Sequence, residues 1–159
     1  MTLCTIHRCP VFGDTVDGAV RLNAIGNVVA ATWRWLPSRF PHVSLDDWCV
    51  MPDHLHGVLV LSNGAMGGSR AVMGGSRAAP TDDATSTSVD IVTTRPKPLG
   101  GLIGAFKTVS TKHVNRMRNT PAAVIWQRNY WDHVIRDEAD LHRIRAYIRA
   151  QGSTGSQSP

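Results

Sequence analysis

The chain has 159 residues, 42% of them hydrophobic and 18% charged. That is enough for one ordinary domain with its own core, and too apolar for a disordered polymer. The net charge is +5 and the pI about 9.6, but residues 95–149 hold eleven Lys/Arg against four acids, while the remainder is net negative. A basic half suggests a polyanionic partner, nucleic acid first, against the plainer reading of a solvated basic surface. No apolar run has the length of a membrane span, and no basic stretch followed by an apolar one opens the chain. Cys4, Cys9 and Cys49 lack the spacing of a metal knuckle, and so sparse a set fits the reducing cytoplasm.

In chain order, "TLCTIHR" (2–8) alternates weakly and reads as a strand, and "VFGDTVDG" supplies turn residues. From about Ala19 to Leu36 the spacing predicts a helix, with Val20, Ile25, Val28, Val29 and Trp33 on one face and Pro37 and Pro41 as stops. "HVSLDDWCVM" (42–51) and "HLHGVLVL" (54–61) read as an antiparallel pair joined by the turn "MPDH". Residues 62–96 contain "AMGGSRA" and "VMGGSRA", a seven-residue repeat in two copies, then a Thr/Ser/Asp-rich stretch. Two copies are too few for a solenoid, and the composition is that of a flexible insertion.

"LGGLIGAFKTVSTKHVNRMR" from Leu99 is an amphipathic basic helix. Leu102, Ile103, Phe106, Val109 and Val114 share one side, and it ends near Thr120 and Pro121. "AVIWQ" and "YWDHVIR" read as two short strands. Asp137 then caps a last helix, "EADLHRIRAYIRA", with Leu141, Ile144 and Ile148 inward and Arg143, Arg145 and Arg149 outward. The tail 152–159 has a disordered composition. The predicted architecture is α+β, one domain of 1–61 and 97–151: an antiparallel sheet with helices packed on it, most economically ferredoxin-like.

Within "CVMPDHLHGVLVL", His54 and His56 fall on the same face of a strand and Leu55 on the other. Two neutral imidazoles so placed can share a divalent cation, or can simply be a hydrogen-bonded pair. Tyr147, in the last helix, has Gln151 about 40° round and about 6 Å further along, on the same face if the helix reaches that far. A phenol, an amide oxygen and two imidazoles make a nucleophile with a three-donor metal site. Taken alone, Tyr147 reads first as an amphipathic residue at the rim of a core.

At these residues the chain resembles the single-tyrosine HUH transposases of the insertion-sequence-200-like and REP-associated type. The resemblance rests on "WCVMPDHLHGVLVL", "LGGLIGAFKTVSTKHVNRMR", "IWQRNYWDHVIRDEADLHRIRAYI" and the opening "TLCTIHRCPVFGD", most of the chain outside the insertion. It implies a ferredoxin-like fold, His54, His56 and Gln151 as ligands of Mg²⁺ or Mn²⁺, and Tyr147 as the catalytic residue. The implied activity is cleavage and rejoining of single-stranded or hairpin DNA through a 5′-phosphotyrosine. Members act alone or as homodimers that exchange the tyrosine helix. Tyr130 matches a position that is usually aromatic and is not the nucleophile. Past "YIRAQ" the chain departs from the family, so presentation of Gln151 depends on how far the helix runs.

Lys107, Lys112, Arg116 and Arg118 are the candidate contacts to the DNA backbone, their alternative being a solvated helix face. Trp48, Trp126 and Trp131 are either base-stacking or core residues. Two further readings stay open: a catalytically impaired, domesticated hairpin-binding protein, and a small RNA-binding domain with exposed aromatics on its sheet.

Overall fold

The computed structural model describes residues 1–62 and 97–152. The predicted insertion, apart from Ser62, and the predicted tail, apart from Gly152, lie outside the described residues. The described part is α+β. Its elements are β1 (Thr2–Cys4), β2 (Gly13–Val16), β3 (Ala19–Leu22), α1 (Ala24–Arg39), β4 (Val43–Val50), β5 (His54–Leu61), α2 (Leu99–Arg118) and α3 (Glu138–Gly152).

The central sheet has the order β1-β5-β4 and is antiparallel throughout. Beyond β1 the chain at 125–131 continues the sheet irregularly, through the isolated bridges Thr5↔Trp126 and Thr2↔Trp131. The two strands expected in "AVIWQ" and "YWDHVIR" are thus reduced to two points of attachment. Lys107 explains part of this: its ammonium donates to the carbonyls of Gln127 (2.7 Å), Arg128 (3.3 Å) and Asn129 (3.0 Å). Three carbonyls turned toward one cation cannot also form a regular ladder.

Three other expectations are corrected. The first strand stops at Cys4, and Ile6–Arg8 form a 3-10 turn in which His7 and Arg8 have left-handed backbones (φ 54° and 53°). The stretch 13–22 is a β-hairpin turning on Asp17-Gly18, both at positive φ, as a two-residue turn of mirror-image type requires. The helix therefore starts at Ala24, where the Asn23 side chain accepts from the amides of Ile25 and Gly26. It also runs through Pro37 to Arg39, because Pro37 sits in the last turn, where only one backbone bond is forfeited.

The two faces of β5 are covered differently. Leu55 and Gly57 face α1 and α2, which close a core of Leu3, Val29, Trp33, Leu55, Leu102, Ile103 and Phe106. Gly57 is required here, since a Cβ would lie 2.6 Å from the Trp33 ring. Trp33 meets Phe106 edge-on at 5.0 Å, and the Trp126 indole donates to the buried Ser110 hydroxyl at 2.9 Å.

On the other face, Ile148, Leu141 and Ile144 of α3 pack on Cys49, Val58 and Met51. This second core is small, and ion pairs reinforce it. Between Leu45 and Trp48 the register slips, so that Asp46 and Asp47 together oppose a single residue of β5. Strict alternation would send adjacent side chains to opposite faces, but the bulge lets both reach α3. Arg145 forks onto Asp46 (2.9 and 2.6 Å) and Arg149 meets Asp47 at 2.8 Å. Both arginines were expected to point into solvent. The Arg145 guanidinium, foremost, holds the Asp46 carboxyl below its usual range.

Arg145→Glu is expected to loosen α3 alone. Hydrogen exchange of the α3 amides should accelerate while that of α1 and α2 is unchanged, and Asp46→Arg in the same chain should restore protection.

Candidate functional site

The α3 face of the sheet carries the two histidines. Across the strands, Cys4 opposes His54 on one side of β5, and on the other Cys49 opposes His56; Thr2 also opposes His56. The turn between β4 and β5 is pinned from outside: Thr5 donates through its amide and hydroxyl to the Asp53 carbonyl (both 2.9 Å), and the Phe12 amide donates to that of Pro52 (3.0 Å). A fixed turn fixes the first residues of β5, and with them the imidazoles.

The Nε2 atoms of His54 and His56 converge to 3.0 Å. The opposite nitrogen of each ring is also engaged. His54 Nδ1 faces an oxygen of Asp53, and His56 Nδ1 lies 2.8 Å from the Thr2 hydroxyl. A carboxylate accepts only, so His54 is protonated on Nδ1, and its neutral ring turns a lone pair toward His56. The Thr2 hydroxyl can donate or accept. With Thr2 donating, His56 carries its proton on Nε2 and hands it to His54. With Thr2 accepting, His56 is protonated on Nδ1, and two lone pairs face the same point.

That second tautomer suits a shared cation. Two nitrogens at about 2.1 Å from one ion and at right angles are about 3.0 Å apart, which is the separation found. Orientation of a ligating imidazole by a carboxylate or hydroxyl on its far nitrogen is the usual support of such a site. Among the described residues no group of three or more His, Cys, Asp or Glu side chains gathers that could hold a metal. A cation on this pair would need oxygen donors of another kind.

Tyr147 lies on the same side. Its ring stands edge-on to His56 with centroids 5.3 Å apart, and it is 52% exposed, so the phenol is open to a ligand. The helix continues through Gln151 to Gly152, where a Cβ would lie 3.1 Å from that of Cys49, the cross-strand neighbour of His56. Gln151, one turn beyond Tyr147, is therefore at the end of the helix that borders the imidazoles.

The basic residues of α2 are elsewhere. Lys107 is spent on the carbonyls of 127–129, and burial holds its ammonium below its ordinary pKa. Lys112, Arg116 and Arg118 are exposed, but α2 covers the sheet face opposite the histidines. Arg8 is a cation beside the pair. Its Nε donates to Asp53 Oδ2 at 3.1 Å while Asp53 Oδ1 holds His54, and its side chain is 62% exposed. Burial pushes the Asp53 carboxyl up, but its bonds to His54 and Arg8 outweigh this and keep it below its usual range. Arg8, Asp53 and Thr2 were not picked out as site residues from the sequence. Only Asp53 carried a local signal, its place beside His54 in "PDH".

No protein-family profile matches the chain, and no solved structure matches it. It is similar to a protein of Haemophilus influenzae described only as uncharacterized, with 28% identity over 149 residues, covering 94% of this chain and 76% of the relative. Among the described residues no helix is long and apolar enough to cross a membrane.

Burial first, and the neighbouring His54 next, push His56 from its ordinary 6.5 down to about 4. Between those values the unfolded chain takes up a proton that the folded chain refuses. Stability is therefore fully present above the ordinary value and declines as the pH falls from 6.5 toward about 4. Urea midpoints measured across this range are expected to fall, and to fall less steeply in His56→Asn.

Proposed function

We propose that the chain is a metal-dependent enzyme of the single-tyrosine HUH type that cleaves and rejoins single-stranded DNA at hairpin-associated sites. The observation that carries the reading is the packing of α3 on the imidazole face, which sets the Tyr147 ring edge-on to His56 at 5.3 Å. Had α3 covered the Leu55 face, the phenol and the imidazoles would be separated by the sheet. The strand order supports a ferredoxin-like arrangement: counting 125–131 as a fourth strand, it is fourth, first, third, second, alternately antiparallel, with the 13–22 hairpin inserted.

His54, His56 and Gln151 would hold the cation, Mg²⁺ or Mn²⁺. Nitrogen donors favour Mn²⁺, and phosphate and water oxygens would complete the shell. When bound, the ion supplies charge neutralisation at the scissile phosphate. The Tyr147 oxygen attacks phosphorus, forming a 5′-phosphotyrosine as the P–O3′ bond breaks. The phenol loses its proton and the departing 3′ oxygen gains one. Attack by a 3′-hydroxyl, from the same or another strand, reverses the step and frees the tyrosine, so no external energy source is consumed. Arg8, anchored through Nε, offers its terminal nitrogens to a phosphate beside the imidazoles. Lys112, Arg116 and Arg118 would meet the duplex part of a hairpin, away from the reacting centre. With α3 docked on β4 of its own chain, a single copy would bring these residues together.

With labelled hairpin DNA and Mn²⁺, the chain is expected to form a covalent adduct that Tyr147→Phe abolishes. Asp53→Ala is expected to weaken Mn²⁺ binding about 10- to 100-fold by calorimetry, through loss of the support on His54. Hairpin binding with no adduct under either metal would overturn the enzymatic reading in favour of an impaired, domesticated hairpin-binding protein.

A further inference from the structure

We propose that Trp131 is a stacking platform for an unpaired nucleobase next to the reacting phosphate, an inference that rests on the DNA reading above. Trp131 is 77% exposed, an unusual position for the largest apolar side chain. The exposure is not that of a loose loop. Trp131 exchanges both backbone bonds with Thr2, at 2.7 and 3.0 Å. Directly opposed residues of an antiparallel pair project to one face. Thr2 in turn opposes His56, to which its hydroxyl is bonded. Trp131, Thr2, His56 and Cys49 thus form one row across the sheet, on the face that holds Tyr147.

Two strand spacings separate Trp131 from His56, about 10 Å. A base resting on the indole would belong to the nucleotide at the phosphate or to its neighbour. The other indoles lack this combination. Trp33 and Trp126 are buried, and Trp48 lies under Arg34 on the opposite face. Trp35 is on α1, also across the sheet. A flat, sequence-tolerant platform suits a base freed from pairing, because every base has a π face.

The test uses the full chain without added metal and a single-stranded dT oligonucleotide carrying 5-bromouracil. Irradiation is expected to crosslink the peptide containing Trp131. Trp131→Ala should bind dT roughly 5- to 100-fold more weakly, and Trp131→Phe should recover most of the loss. An abasic site at the crosslinked position should weaken the natural chain, but not Trp131→Ala. Crosslinks confined to other peptides, or unchanged binding by Trp131→Ala, would overturn the proposal. So would a lower mass of Trp131→Ala in size-exclusion, which would make the indole a contact between copies. A Tyr147 adduct with dT binding indifferent to Trp131 would sink the platform alone. A Trp131 crosslink with no adduct would sink the enzymatic step alone.

Discussion

The two-residue period of β5 is the constraint on which the rest of the molecule depends. Leu55 and Gly57 must face α1 and α2, since the major core closes on them and Gly57 leaves room for the Trp33 ring. Once that face is fixed, His54 and His56 have no choice but the other. A slip of one residue would bury both imidazoles under Trp33 and turn Leu55 out. The energy that aligns the histidines is thus spent on the far side of the sheet, in apolar packing that has no part in the proposed chemistry.

The α3 side is built on a different principle. Its apolar contact is small, so the helix is placed by charge as much as by burial. The bulge in β4 presents Asp46 and Asp47 together, and Arg145 and Arg149 meet them. Partly exposed ion pairs contribute little to global stability, but a bidentate arginine sets the angle of a helix well. That suits the role proposed for α3, to hold Tyr147 within reach of a ligand while leaving it exposed.

The His pair is supported asymmetrically. His54 leans on a carboxylate shared with Arg8, and His56 on a hydroxyl. The carboxylate fixes one tautomer; the hydroxyl permits two. The pair can therefore satisfy itself, nitrogen to nitrogen, or turn both lone pairs to a common ion without moving either ring. Burial keeps His56 neutral at ordinary pH, which either arrangement requires.

Local pattern in the sequence was sufficient for α2, α3, the β4–β5 pair and the shared face of His54 and His56, because each depends on a period of 2 or 3.6 within a few residues. Asp17-Gly18 was legible as part of a turn stretch, but the residues after it were given to a helical pattern that began at Ala19 instead of Ala24, so the hairpin was missed. The bulge at Asp46-Asp47, the clamp of Lys107 and the bond between Thr2 and His56 were not legible. Each joins groups distant in the chain or depends on a register that no local pattern encodes. The sequence by itself determined which residues could act together: two imidazoles on one strand face, and a phenol with an amide one turn on. Which side of the sheet received the last helix was decided only in three dimensions, by the pairing of α3 arginines with a bulge some hundred residues earlier. The same holds for the row that sets Trp131 beside Thr2 and His56, since strand order is a property of the assembled sheet.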